Sequence, residues 1–132
     1  MKKSVIFVED DELTRLMIVR LFSRRGVAVV LSSSGADALE KIRTLAADQG
    51  AELDLMFITD GHLPDYTGDD LIGAMHALVG ERLACAVLLT ADTERFKARA
   101  ESVGYQLIAK SFDNVELLGS LDRFLAATAP AG

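Results

Sequence analysis

The sequence predicts an α/β fold, a doubly wound parallel sheet of five βα units, and three observations predict it. Short apolar runs rich in β-branched residues alternate with segments of helical period. There are five of each. The strand runs are continuously apolar, so both faces of the sheet must be covered. With 132 residues, half of them hydrophobic, the chain can bury one core and is too short for two. Residues 1–126 are therefore expected to form one domain, and residues 127–132, small and containing Pro130, a tail that frays.

Residues 5–8 (VIFV) read as the first strand, 27–31 as the second, 53–59 as the third, 86–90 as the fourth and 107–109 as the fifth. In the first helix Leu13, Met17 and Leu21 fall at i, i+4 and i+8, with Ile18 and Phe22 alongside, and the stripe stops at Gly26. Leu39, Ile42 and Leu45 stripe the second helix, where Ser34 can cap the first turn and Asp37 suits the positive end of the dipole. Leu71, Met75 and Leu78 mark the third, after Gly68, with Thr67 as the expected cap. The fourth, residues 93–103, is mostly polar and should be the loosest, with Phe96, Ala100 and Val103 facing inward. The last runs over residues 114–126 with Leu118, Leu121 and Leu125 inward, and Asp113 with Glu116 resembles a capping box.

Composition excludes several classes of function. A net charge of −6 argues against the broad basic surface that binds nucleic acid or anionic membrane, so any nucleic-acid role must be indirect. Acids at positions 9–12 end the first apolar run too early for a secretory leader, and no apolar run approaches the roughly 20 residues of a membrane span. A cytoplasmic location is expected. Cys85, the single cysteine, reads as a packed thiol. Phe96 and Phe112 read as core or hinge packing, and His76 has no partner that the sequence suggests.

Ligands of open parallel sheets bind beyond the carboxyl ends of the strands, where the strand order reverses. If the order is 2-1-3-4-5, that crevice receives the residues just past Val8 and Thr59. Those residues are acids: Glu9, Asp10 and Asp11 after the first strand, Asp60 after the third. Like charges so close favour the neutral acids unless a divalent cation opposes them. Hard oxygens with no cysteine nearby, and His62 as the one imidazole, favour Mg²⁺, with Mn²⁺ as the alternative. Thr90 closes the fourth strand with a hydroxyl and Lys110 the fifth with an ammonium. A carboxylate, a metal, a hydroxyl and a cation are the parts needed for phosphoryl transfer to an aspartate.

The segments VIFVEDD (residues 5–11), TDGHLPDYTG (59–68), LLTAD (88–92) and IAKSF (108–112) resemble the receiver domain of two-component response regulators. Each is weak alone; together, in order and over the whole chain, they are specific. The resemblance implies a flavodoxin-like (βα)5 fold with Asp60 as phosphoacceptor. It implies that Asp10 binds Mg²⁺ directly and Glu9 through water, that His62 lends only its backbone carbonyl, that Thr90 reads the phosphoryl oxygen and that Lys110 pairs with the phosphate. It also implies a phosphodonor, a sensor histidine kinase or histidine phosphotransfer protein, and a signal transducer that assists its own phosphorylation and dephosphorylation.

Two positions depart from that pattern. Ser111 follows Lys110 where the family usually has a cis proline; a cis bond costs ~2.5–4 kcal/mol before a non-proline residue against ~0.5–1 before proline, so a trans bond is expected. Leu107 stands where an aromatic often reports phosphorylation, and Tyr105 lies two residues earlier on the same strand face. These departures leave room for a degenerate receiver that acts only as a docking module. An aspartyl-phosphate phosphatase of haloacid dehalogenase type is disfavoured, because it needs a second Asp two residues after the nucleophile and His62 stands there. A flavin or nucleotide binder wants a phosphate-cradling loop after the first strand, where Glu9, Asp10 and Asp11 repel anions.

Overall fold

The computed structural model describes residues 2–111 and 113–127. The expectations for Phe112 and for the tail beyond Ala127 lie outside the described residues. The chain alternates β1 (Lys2–Val8), α1 (Glu12–Ser23), β2 (Val29–Ser32), α2 (Gly35–Gln49), β3 (Leu53–Asp60), α3 (Gly68–Val79), β4 (Leu83–Thr90), α4 (Thr93–Lys97), β5 (Gln106–Ala109) and α5 (Val115–Ala126). The five strands form one parallel sheet in the order β2-β1-β3-β4-β5, as expected.

The strand period of two sends alternate residues into two separate cores. Ile6, Val8, Phe57 and Leu88 meet Ala38 and Ile42 of α2 and Leu71, Ile72 and Met75 of α3 on one side. Val5, Phe7, Met56, Ile58 and Val87 meet Ile18 and Phe22 of α1 and Leu117, Leu121 and Phe124 of α5 on the other. Each fully buried side chain of this size contributes about 1.5–3 kcal/mol of transfer free energy, which holds the helices to both faces of the sheet.

Some helices turn differently from the expected stripes. In α1, Ile18 and Phe22 are buried and Leu21 packs beside them, whereas Leu13 is 72% and Met17 51% exposed. Apolar residues lie on several sides of this helix, so its period alone does not choose a face; the surface built by Val5 and Phe7 does. In α5 the inward arc is Leu117, Leu121 and Phe124, with Leu118 and Leu125 flanking it. Thr67 precedes α3, but its hydroxyl makes no cap to the backbone. Ser34 does cap α2, accepting from the N–H of Asp37 at 3.1 Å. Asp113 accepts from the N–H of Val115 at 3.2 Å, a bond two residues on and not the three of a capping box; the residue that precedes α5 is Asn114, in a left-handed conformation at φ 56°, and its side chain makes no cap.

The fourth helix is shorter than its pattern suggests. α4 ends at Lys97, and Ala100–Gly104 forms a π-helical turn. Its inward residues are nevertheless those expected, with Phe96 buried and Ala100 and Val103 packed on the same core. His76 of α3 has a partner that the sequence did not suggest: its Nε2 donates to the carbonyl of Gly104 at 2.8 Å. No cis peptide bond occurs among the described residues, so Lys110-Ser111 is trans.

Candidate functional site

Sheet register assembles the site. Val8 pairs with Thr59, so the next residues, Glu9 and Asp60, leave the sheet side by side. Asp60 in turn pairs with Leu89, and Thr90 with Ala109, which brings Thr90 and Lys110 to the same edge. Backbone hydrogen bonds continue past the pairing and hold these tips: Glu9 N–H to Ser32 O at 3.0 Å, Gly61 N–H to Leu89 O at 3.2 Å and Lys110 N–H to Thr90 O at 2.9 Å.

Glu9, Asp10 and Asp60 each bring one carboxylate oxygen within 4.8 Å of the others. Glu9 and Asp60 are buried and Asp10 is exposed. The Lys110 ammonium donates to Asp60 Oδ2 at 3.2 Å and to Glu9 Oε2 at 3.4 Å. Among the described residues it is the only cation paired with the Glu9 and Asp60 carboxylates. Arg15, one turn into α1, donates to the Glu9 carbonyl at 2.7 Å, an anchor for the loop that no sequence signal announced. The His62 N–H faces Asp60 Oδ1 at 3.4 Å. Thr90 is buried, and its Oγ1 accepts from the N–H of Asp92 at 3.0 Å, so its hydroxyl belongs to the loop leading into α4.

The electrostatics record an excess of negative charge. Burial pushes the Glu9 carboxyl up, the Asp60 charge pushes it further, and Lys110 with the Asp11 N–H pull it back only in part, leaving it at about 7. Burial pulls the Lys110 ammonium down, but Asp60 and Glu9 outweigh that and hold it above the ordinary lysine value. Three hard-oxygen ligands against one shared ammonium fit a hard divalent cation: a second positive charge relieves the repulsion that raises Glu9.

The floor of the site depends on two close approaches. A Cβ on Gly68, the first residue of α3, would lie 2.5 Å from the Asp60 carbonyl, so only glycine lets that helix start against the strand end. A Cβ on Gly61 would lie 2.6 Å from the Phe96 ring and 3.2 Å from Thr90 Oγ1. The loop between β3 and α3 is tied down by Asp65, whose carboxylate accepts from the N–H groups of Gly35 and Ala36 at 2.8 and 2.9 Å. That bond makes Asp65 a second cap of α2, a role with no local signature in the sequence.

A comparison with family models and with curated proteins returns no match. Solved structures do match over nearly the whole chain. The chemotaxis response regulator CheY4 of Vibrio cholerae is 26% identical, covers 94% of this chain and 98% of its own, and has a TM-score of 0.75. The non-phosphorylated HemR receiver domain from Leptospira biflexa is 25% identical, with 99% and 100% covered and a TM-score of 0.76. The response regulator TrrA from Thermotoga maritima, solved in complex with Mg²⁺ and beryllium fluoride, is 21% identical, with 94% and 99% covered and a TM-score of 0.76.

Proposed function

We propose that this chain, which has the fold of response-regulator receiver domains over nearly its whole length, is a phosphorylation-driven signalling switch that accepts a phosphoryl group on Asp60. The observation that carries the reading is the meeting of Glu9, Asp10, Asp60 and Lys110 at the tips of β1, β3 and β5. The donor is a phosphohistidine on a sensor kinase or phosphotransfer protein. An Asp60 oxygen bonds to phosphorus as the phosphorus–nitrogen bond breaks, and the donor imidazole keeps the electron pair and takes a proton from solvent.

Glu9, Asp10 and Asp60, with the His62 carbonyl that the resemblance adds, are the residues that would hold Mg²⁺. When bound, the ion supplies positive charge against the carboxylates and the phosphoryl oxygens. The chain's own residues do the rest. Lys110 lies 3.2 Å from Asp60 and turns its ammonium to a phosphoryl oxygen, exchanging one ion pair for another. Thr90 releases the Asp92 N–H and donates its hydroxyl to a second phosphoryl oxygen. In a loose transition state such positioning and charge neutralisation supply most of the rate. The modified domain then binds its protein partner differently, and it acts as a transducer whose own chemistry is limited to gaining and losing this group.

Acetyl phosphate with Mg²⁺, followed by intact mass, tests the reading. The mass should rise by one phosphoryl group, and Asp60→Ala should abolish the gain. An unmodified wild-type protein would leave the docking-module reading, to which Ser111 and Leu107 point; turnover of p-nitrophenyl phosphate would instead favour a phosphatase.

A further inference from the structure

At the amino ends of β3, β4 and β5, the opposite end of the sheet from Asp60, the chain leaves a cavity of about 890 Å³. Two irregularities of the sheet open it. β5 begins opposite Val87, so residues 83–86 of β4 have no strand beside them on that edge. The register between β3 and β4 also slips, from Leu55 opposite Leu83 to Met56 opposite Cys85, which leaves Ala84 as the extra residue of a bulge. The last turns of α5 and the turns before β3 and β4 enclose the space. Its volume lies within the roughly 300–1,000 Å³ of small-molecule sites.

Leu53, Ala84 and Phe124 give the cavity apolar walls. Its polar groups are mostly donors. Ser120, 3% exposed, donates its hydroxyl to Gln106 Oε1 at 2.8 Å and lies 3.7 Å from Cys85 Sγ. That bond uses the Gln106 carbonyl and leaves its amide N–H groups without a partner among the described residues. Arg123 stands three residues on from Ser120, hence on the same face of α5, and forms no ion pair or hydrogen bond among the described residues. Arg82 donates to the Val79 carbonyl at 3.1 Å and to the Gly50 carbonyl at 3.0 Å, so its guanidinium is fixed in place while its charge is not cancelled. Of the two acids that line the cavity, Asp54 is paired with Lys3 at 4.0 Å and Glu81 is exposed. Lys3, Arg82 and Arg123 outnumber Asp54 and Glu81 by one charge, in a chain whose net charge is −6.

We propose that this cavity binds a small anionic amphiphile, a molecule with a compact apolar body and a single carboxylate or sulfonate group. The body lies along Leu53, Ala84 and Phe124, where burial removes its surface from water. The anionic group takes the charge-assisted hydrogen bonds that Arg123 and the Gln106 amide leave open. A cation would meet two arginines of its own sign, and a wholly apolar molecule would leave those donors without acceptors. The site shares no residue with the acidic cluster of Glu9, Asp10 and Asp60, and its occupation needs no phosphoryl group.

Anilinonaphthalene sulfonate, which carries one sulfonate on an apolar ring system and brightens out of water, is the probe. Phenylnaphthylamine offers the same rings without the sulfonate. The wild type should bind the sulfonate saturably at one site per chain, and its thermal midpoint should rise because the probe binds the folded state. Arg123→Gln, a change at an exposed side chain, should weaken that binding by about tenfold and leave the binding of phenylnaphthylamine as in the wild type. Ala84→Phe, which sends a ring into the cavity from an exposed position, should abolish binding of both. Occupation should also slow alkylation of Cys85, the single cysteine, by iodoacetamide, read by intact mass. Absence of saturable binding, wild-type affinity for the sulfonate in Arg123→Gln, or undiminished binding in Ala84→Phe would each overturn the proposal. So would a dimer in solution that Ala84→Phe dissociates, because a second copy of the chain would then be the occupant. No phosphodonor enters these measurements, so they stand or fall apart from the phosphorylation of Asp60.

Discussion

At the scale of single residues, the site balances one shared ammonium against several carboxylates. Replacing Lys110 with Ala leaves the buried Glu9 and Asp60 facing each other without their common partner. Phosphoryl gain from acetyl phosphate should then slow by about tenfold or more, since a charge-assisted contact to the phosphate is lost. Asp60→Asn acts in the opposite sense on stability. It removes the like charge that raises Glu9 and leaves the Glu9–Lys110 pair intact. In EDTA, its thermal midpoint should lie above that of the wild type by about 2–8 °C, the shift expected of roughly 1 kcal/mol. A lower midpoint would mean that the two carboxylates do not repel as their spacing indicates.

At the scale of elements, the site is only as firm as the loops that leave the strand tips. Asp65 binds the β3–α3 loop to the N-terminus of α2 through two N–H groups. Asp65→Ala should cost about 1 kcal/mol, the usual effect of losing a helix cap, and a urea melt with an unchanged slope would measure it. Gly68→Ala should cost more, about 1–3 kcal/mol, because the added methyl meets the Asp60 carbonyl, which is backbone and cannot swing aside. The same variant should slow phosphoryl gain, since relief of the clash moves Asp60. The strand runs and the acids just past them were legible in the sequence because each is a local pattern. The Asp65 cap, the Arg15 anchor and the Arg99 clamp were not, because each joins segments whose proximity only the fold creates. The break of the fourth helix into α4 and a π-helical turn escaped for the same reason: its ties run to Tyr105, His76 and Asp69 on other elements.

At the scale of the whole molecule, opposite pKa shifts give the metal-free protein a stability maximum in mild acid. At Asp65 and Asp69 burial pushes the carboxyl up but is outweighed: by the Ala36 and Gly35 N–H groups at Asp65, and by Thr67, the Asp70 N–H and Arg99 at Asp69. Hydrogen bonds from Lys41 and Ser32 lower Asp37. Stability from these groups is present above their ordinary value of 3.8 and is lost as pH falls through the lowered ones. Glu9 runs the other way. Its folded value of about 7 exceeds the ordinary 4.5, so its contribution is present below 4.5 and is lost as pH rises to about 7. Thermal melts in EDTA should therefore decline both below about pH 4 and from pH 4.5 toward 7. Mg²⁺ should remove the second decline, because a cation held by Glu9, Asp10 and Asp60 favours the ionised carboxyl. A flat EDTA profile between pH 4.5 and 7 would contradict the raised Glu9 value.

The sequence alone determined the alternation of five strands and five helices, the coverage of both sheet faces and the identity of the strand-tip residues. Those properties are written in neighbouring positions, through hydrophobic period and through the residue types at the end of each apolar run. Only the tertiary structure decided which arc of α1 and α5 turned inward, that Glu9 and not Asp10 or Asp11 became the buried carboxylate after β1, and that Phe96 filled the space between Asp60's loop and α4. Each depends on which surfaces meet, and burial and packing free energies are set by the partner a side chain finds and not by the side chain itself.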